Sequence, residues 1–183
     1  KAVRVFGGRA KFSAKHTTLH SLKGSGLVIA EGAKAALGHC TVSNNGFSGV
    51  IMTGRGSKIE AARTHIYGNQ NSNIVVGQGA NASLRHVTCN SSRQGSGCVA
   101  LGRPKSSMLI HSEARKNRVN GARALMGGSI KLVHSHCTDN GWYGWYVRSP
   151  ISCVRAWSSV VKGNKRGNIC KKEDGCVNCR GNP

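Results

Sequence analysis

Acidic side chains are scarce in this 183-residue sequence: six Asp and Glu stand against 27 Lys and Arg, a formal charge of +21. A chain so one-sided repels itself unless a polyanion neutralises it. The expected partner is therefore RNA or another polyanion, with anionic polysaccharide, an acidic protein surface and anionic lipid as alternatives. Aromatic residues make up only 5%, too few for an extended platform of stacked bases. No run of about 18 apolar residues occurs, so membrane insertion is not expected. The first nine residues lack the apolar stretch of a signal peptide, and a cleaved presequence would leave no trace here. The reading is a soluble intracellular protein, with a mitochondrion or other organelle left open.

What the sequence does have is glycine, 25 residues, together with small and β-branched apolar residues. That composition suits short strands joined by tight turns better than packed helices. Of the eight cysteines, Cys40, Cys89, Cys98, Cys137 and Cys153 lie inside strand-like patterns. They are expected to be reduced, small core residues, which implies a reducing compartment.

Self-similarity decides the fold class. Segments beginning Gly26-Leu27-Val28-Ile29, Gly49-Val50-Ile51-Met52, Asn73-Ile74-Val75-Val76, Gly97-Cys98-Val99-Ala100, Gly121-Ala122-Arg123-Ala124 and Gly144-Trp145-Tyr146-Val147 follow one another at 23 or 24 residues, and Asn168-Ile169-Cys170 continues the series. Asn45, Asn69, Asn117, Asn140 and Asn164 each lie four residues before the next coil start. Asn tolerates the left-handed backbone region, so the column predicts a recurring bend. Arg93 interrupts it, and the fourth coil is expected to turn differently. A period near 24 with three short apolar stretches fits one circuit of three strands. The expected fold is all-β: a single-domain right-handed parallel β-helix, a solenoid of about seven 23–24-residue coils over residues 1–167, with a Cys-containing tail at 168–183 capping its open end.

In wording such as His39-Cys-Thr-Val-Ser-Asn-Asn-Gly-Phe-Ser-Gly-Val-Ile51, the repeat resembles that of pectate-lyase-like parallel β-helix proteins, and especially the β-helix repeats of certain F-box proteins. The resemblance implies the fold over about residues 3–170. It says little of function, because such proteins include lyases, hydrolases, tailspikes and non-catalytic scaffolds.

Four sets of residues carry the functional expectations. Enzymes of this architecture set Asp or Glu clusters on one outer sheet, yet here Glu31, Glu60, Glu113 and Asp139 fall in four different columns of the repeat, so no catalytic residue is expected. A histidine face is predicted from His16, His39, His111 and His134, all ten residues before a coil start, with Arg63 in the same place and His86 one position off. Alternation points this column outward, and His65 and His136, two places on, would extend it. Polyanion binding is expected at Lys11, Lys34, Arg55, Lys58, Arg103 and Lys105 near the bend after each first strand, and at Lys116, Arg118, Lys165 and Arg166 across the circuit. Val28, Ile51, Val75 and Val99 form an apolar ladder alternating with a second one, so one ladder faces out and reads as a protein-docking stripe.

Trp142, Tyr143, Trp145, Tyr146 and Trp157 crowd into the last two coils, where core or cap packing is the expected use. Cys170, Cys176 and Cys179 match no standard zinc module; no cofactor is expected, with zinc as the alternative to free thiols or one disulfide. Together these features describe a non-catalytic basic scaffold subunit that binds RNA and protein subunits in a ribosome or other ribonucleoprotein. A carbohydrate-active enzyme or carbohydrate-binding module is one alternative. A structural subunit on an acidic protein lattice or membrane complex is another. The fold reading is checked by register: Val50 is expected directly between Leu27 and Ile74.

Overall fold

The computed structural model describes residues 2–102, 106–172 and 176–180. Its strands are short because each is a stretch of three to six apolar-alternating residues cut off by Gly, Asn or Ser. Every strand pairing is parallel and joins one coil to the next. Eight strands from Val3–Phe6 to Gly167–Lys172 make the first sheet, and eight from Lys11–Lys15 to Cys176–Arg180 make the second. The third sheet runs from Thr18–Leu19 to Thr88–Asn90 and resumes at His136–Thr138, bridged by Glu113. Val50 pairs with Leu27 on one side and Ile74 on the other, as the repeat demands.

The core is a set of inward columns. Leu27, Val50, Ile74 and Trp145 line one, Leu37, Leu84, Leu109 and Leu132 another, and Val42 and Ile66 a third, all nearly or fully buried. Trp145 fits because its register neighbour Ala122, and Cys98 beneath that, are small.

The corner between the third and first sheets is held by a ladder of buried Asn side chains. Asn45 Nδ2 donates to Asn69 Oδ1 at 2.8 Å, Asn117 Nδ2 to Asn140 Oδ1 at 3.0 Å and Asn140 Nδ2 to Asn164 Oδ1 at 2.9 Å. The same Oδ1 atoms of Asn69, Asn140 and Asn164 accept the backbone N–H of the Asn one coil earlier. The left-handed residue at this corner is the one before the ladder Asn, namely Asn44, Gly68, Lys116, Asp139 and Gly163. The ladder Asn is selected for its two-way amide rather than for its backbone tolerance.

In the fourth coil the ladder position belongs to Ser92, not Arg93: Ser92 N–H donates to Asn117 Oδ1, and left-handed Ser91 precedes it. The missing amide is supplied from the coil start. Asn73 Oδ1 accepts from Asn69, and its Nδ2 donates to Asn117 Oδ1 across 44 residues of chain. Coil starts are otherwise Gly for lack of room; a Cβ at Gly49 would lie 2.7 Å from the Asn73 carbonyl oxygen and 2.8 Å from Asn69 Nδ2.

A second ladder holds the corner between the second and third sheets, where Thr64, Ser112, Ser135 and Ser159 hydroxyls accept N–H groups of the preceding coil. Cys40, Cys89, Cys98 and Cys137 are buried free thiols, and burial pushes Cys98 and Cys137 up to about 12, so they are unreactive core residues. Cys153 departs from that expectation. Register places it directly beneath Cys176, with Cα atoms 4.4 Å apart, and the two form a disulfide. Breaking the Asn ladder at Asn140→Ala leaves Asn117 N–H and Nδ2 without their shared buried acceptor. This is expected to cost about 2–4 kcal/mol in urea unfolding, against about 0.5 kcal/mol or less for outward-facing Asn81→Ala.

Candidate polyanion-binding surface

Strands of the second sheet point alternate residues outward, and in the first four coils those residues are small. Ser13, Ala36, Glu60 and Ser83 stack in one outward column; Lys15, Gly38, Ala62 and Arg85 stack in the next. The result is an open trough of about 490 Å³ along the solenoid axis. It ends where Met108, Lys131 and Arg155 take over the floor column.

Both walls of the trough are basic. Lys11, Lys34 and Lys58 stack directly on one another on one side, so Lys58 is in the lysine column itself and not merely near it. Asn81 and then Ser106 continue that column. Arg55 is exposed in the turn leading to Lys58. Arg103 and Lys105 lie outside the described residues. Strand geometry separates the two walls by roughly 13 Å and successive lysines by about 4.8 Å. Glu60, the one acid on the floor, is paired with Lys58, which holds its carboxyl below the usual range.

The opposite wall carries the histidines. His16, His39, Arg63, His86, His111 and His134 all occupy the left-handed corner between the second and third sheets, with φ between 45° and 52°. His is among the residues that reach this region most readily, which explains the column on backbone grounds. His86 is in the column, because Arg85 pairs with Ile110 and the extra residue of its coil is absorbed elsewhere. Ring centroids are 4.9 Å apart for His16–His39, 5.3 Å for His86–His111 and 5.0 Å for His111–His134. Arg63 interrupts the stack. His65 and His136 do not extend it; they begin strands of the third sheet, in a separate column with Thr41, Thr88 and Glu113.

The remaining basic residues sit elsewhere. Lys116, Arg118, Lys165 and Arg166 are exposed at the Asn-ladder corner of the later coils, where Arg166 lies over Trp142. The described acids stay apart: Glu31 in the turn after the first sheet, Glu60 on the second, Glu113 beside Arg115 at the third, and Asp139 at the Asn-ladder corner. Val28, Ile51, Val75 and Val99 stack outward on the first sheet, ended by Arg4 on one side and Arg123 and Tyr146 on the other. The first three are half-buried and Val99 is buried. In the tail, Cys176 is bonded to Cys153, Cys170 is a free thiol on the first sheet, and Cys179 belongs to the last strand of the second sheet.

Residues 2–165 match the family model described as the right-handed beta helix region. No curated protein and no solved structure matches the chain.

Desolvation, with the charges of His16, Arg63 and Lys15, holds His39 below its ordinary value of 6.5. The unfolded chain therefore takes up this proton first, so stability from His39 is full above about pH 6.5 and falls as the pH drops below it. His39→Asn keeps a residue suited to the left-handed corner and is expected to flatten the decline of Tm between about pH 7 and pH 5, measured by thermal melts without polyanion.

Proposed function

The chain belongs to the right-handed β-helix family, and on that footing we propose that it is a non-catalytic scaffold subunit that binds RNA within a larger ribonucleoprotein assembly. The trough of the second sheet is the observation that carries this reading. Six acids can neutralise at most six of the 27 Lys and Arg residues, and the trough lines up Lys11, Lys34 and Lys58 opposite Lys15, His39, Arg63 and Arg85 with nothing bulky between. Stacked like charges at about 4.8 Å cost free energy in the free protein, and a bound phosphate backbone turns that cost into attraction. Basic residues at the Asn-ladder corner give the molecule charge on a second side, as suits a subunit embedded in folded RNA.

The separation of the acids supports the absence of glycosidase or lyase chemistry, which needs paired or clustered carboxylates. The apolar ladder Val28, Ile51, Val75 fits contact with a protein subunit of the same assembly.

Counterion release gives the test. Replacing Lys11, Lys34 and Lys58 by Ala is expected to flatten the slope of log affinity against log salt for single-stranded RNA by about 2 units, with little change in stability. An unchanged slope would remove the trough from the interface. Incubation of the wild type with pectate or alginate is expected to release no unsaturated or reducing ends; release of either would favour the carbohydrate-active alternative.

A further inference from the structure

Outside the trough, the later coils contain an exposed aromatic that core packing does not explain. Trp145 is buried in the core and Tyr146 lies under Arg123 on the outer first sheet, with the guanidinium carbon 5.4 Å from its ring centroid. Trp142 is different. It sits two residues after the ladder Asn140, at a corner that projects from the rod, and is 38% exposed.

Backbone hydrogen bonds stack this corner coil on coil: Trp142 N–H donates to the Val119 carbonyl and Arg166 N–H to the Trp142 carbonyl, both at 2.8 Å. The Arg166 guanidinium covers one face of the indole at 4.2 Å from the ring centroid. Arg166 is itself exposed, and among the described residues no later coil returns to this corner to cover it. The stack Val119, Trp142, Arg166 thus ends on a planar cation with a solvent-facing side. Exposed Arg118 and Lys165 occupy the neighbouring column.

We infer that this end of the corner is a nucleobase-stacking site, in which an unpaired base of RNA lies on the Arg166 guanidinium, backed by Trp142, while Arg118 and Lys165 meet the adjoining phosphates. The inference rests on the RNA reading and adds to it a preference for unpaired nucleotides. A guanidinium plane held rigid by an indole is presented at little conformational cost, and every base offers it a π-face. A sugar ring would instead need the bare aromatic face that Arg166 already covers. The site lies on a different side of the rod from the trough and in later coils, so it recognises bases at a place where the trough reads only charge.

The test compares a short fluorescent oligoadenylate with an abasic sugar–phosphate strand of the same length and label, at about 0.15 M salt. The wild type is expected to bind the base-bearing strand about 5- to 100-fold more tightly. Arg166→Lys retains the charge but not the plane, and Trp142→Ala removes the backing; both are expected to bring that ratio close to one while affinity for the abasic strand stays near wild type. Arg166→Lys changes only an exposed side chain, so it serves if Trp142→Ala folds poorly. Replacing Lys11, Lys34 and Lys58 by Ala is expected to weaken both strands alike and keep the ratio. A wild-type ratio near one, or a ratio that survives Arg166→Lys, overturns the stacking site while leaving RNA binding intact. Failure of the wild type to bind either strand overturns the RNA reading and the stacking site with it.

Discussion

The structure depends on one requirement: every coil must hand its polar groups to the next coil in the same register. Three sheets do this with backbone hydrogen bonds, but sheets alone permit slippage, since shifting a strand by two residues restores the same facing pattern. The Asn ladder removes that freedom. Each Oδ1 that accepts both a side-chain and a backbone N–H from the coil before ties the corner to a single residue, and it does so where water is excluded and a lost partner is costly. The Ser and Thr ladder at the opposite corner repeats the device with a hydroxyl.

Stacking in register has a consequence for the surface. Whatever residue type a corner or outward position favours in one coil comes to lie against the same position in the next, so chemistry accumulates in columns. The left-handed corner favours His, and His rings end up stacked at about 5 Å. The start of the second-sheet strand carries Lys in three successive coils, and three ammonium groups share one column. The trough exists because the positions between those columns are Ser, Ala and Gly in the same coils and become Met, Lys and Arg beyond them. The arrangement that gives the rod its stability therefore also concentrates its charge.

The disulfide and the terminal aromatics show how the end of the solenoid differs from its middle. In the middle, a cysteine faces Ala, Gly or another small residue and stays a buried thiol. At the last turn Cys153 and Cys176 meet in direct register and are covalently joined, tying the second sheet's last two strands together. Trp142 and Arg166 likewise stand at the end of their column, and an end of a column has a free face that no interior residue has.

Much of this was legible in the sequence. Repeat spacing alone places Val50 between Leu27 and Ile74, identifies the outward apolar ladder and brings Asn, His and Lys into columns, because a parallel solenoid turns sequence period directly into contact. Counting residues misplaced Arg93, His86, Lys58 and the histidines at 65 and 136, since counting assumes a constant coil length. The fourth coil reaches its ladder position after 23 residues and leaves it after 25, and only hydrogen bonding decides which residue takes the place: Ser92 enters the ladder, and Asn73 reaches over to supply the amide that Ser92 lacks. The pairing of Cys153 with Cys176, the confinement of the small-residue trough to four coils and the exposure of Trp142 beside a buried Trp145 were decided in three dimensions. Each depends on what the neighbouring coils place above, below and across, and a linear pattern holds that information only once the register is known.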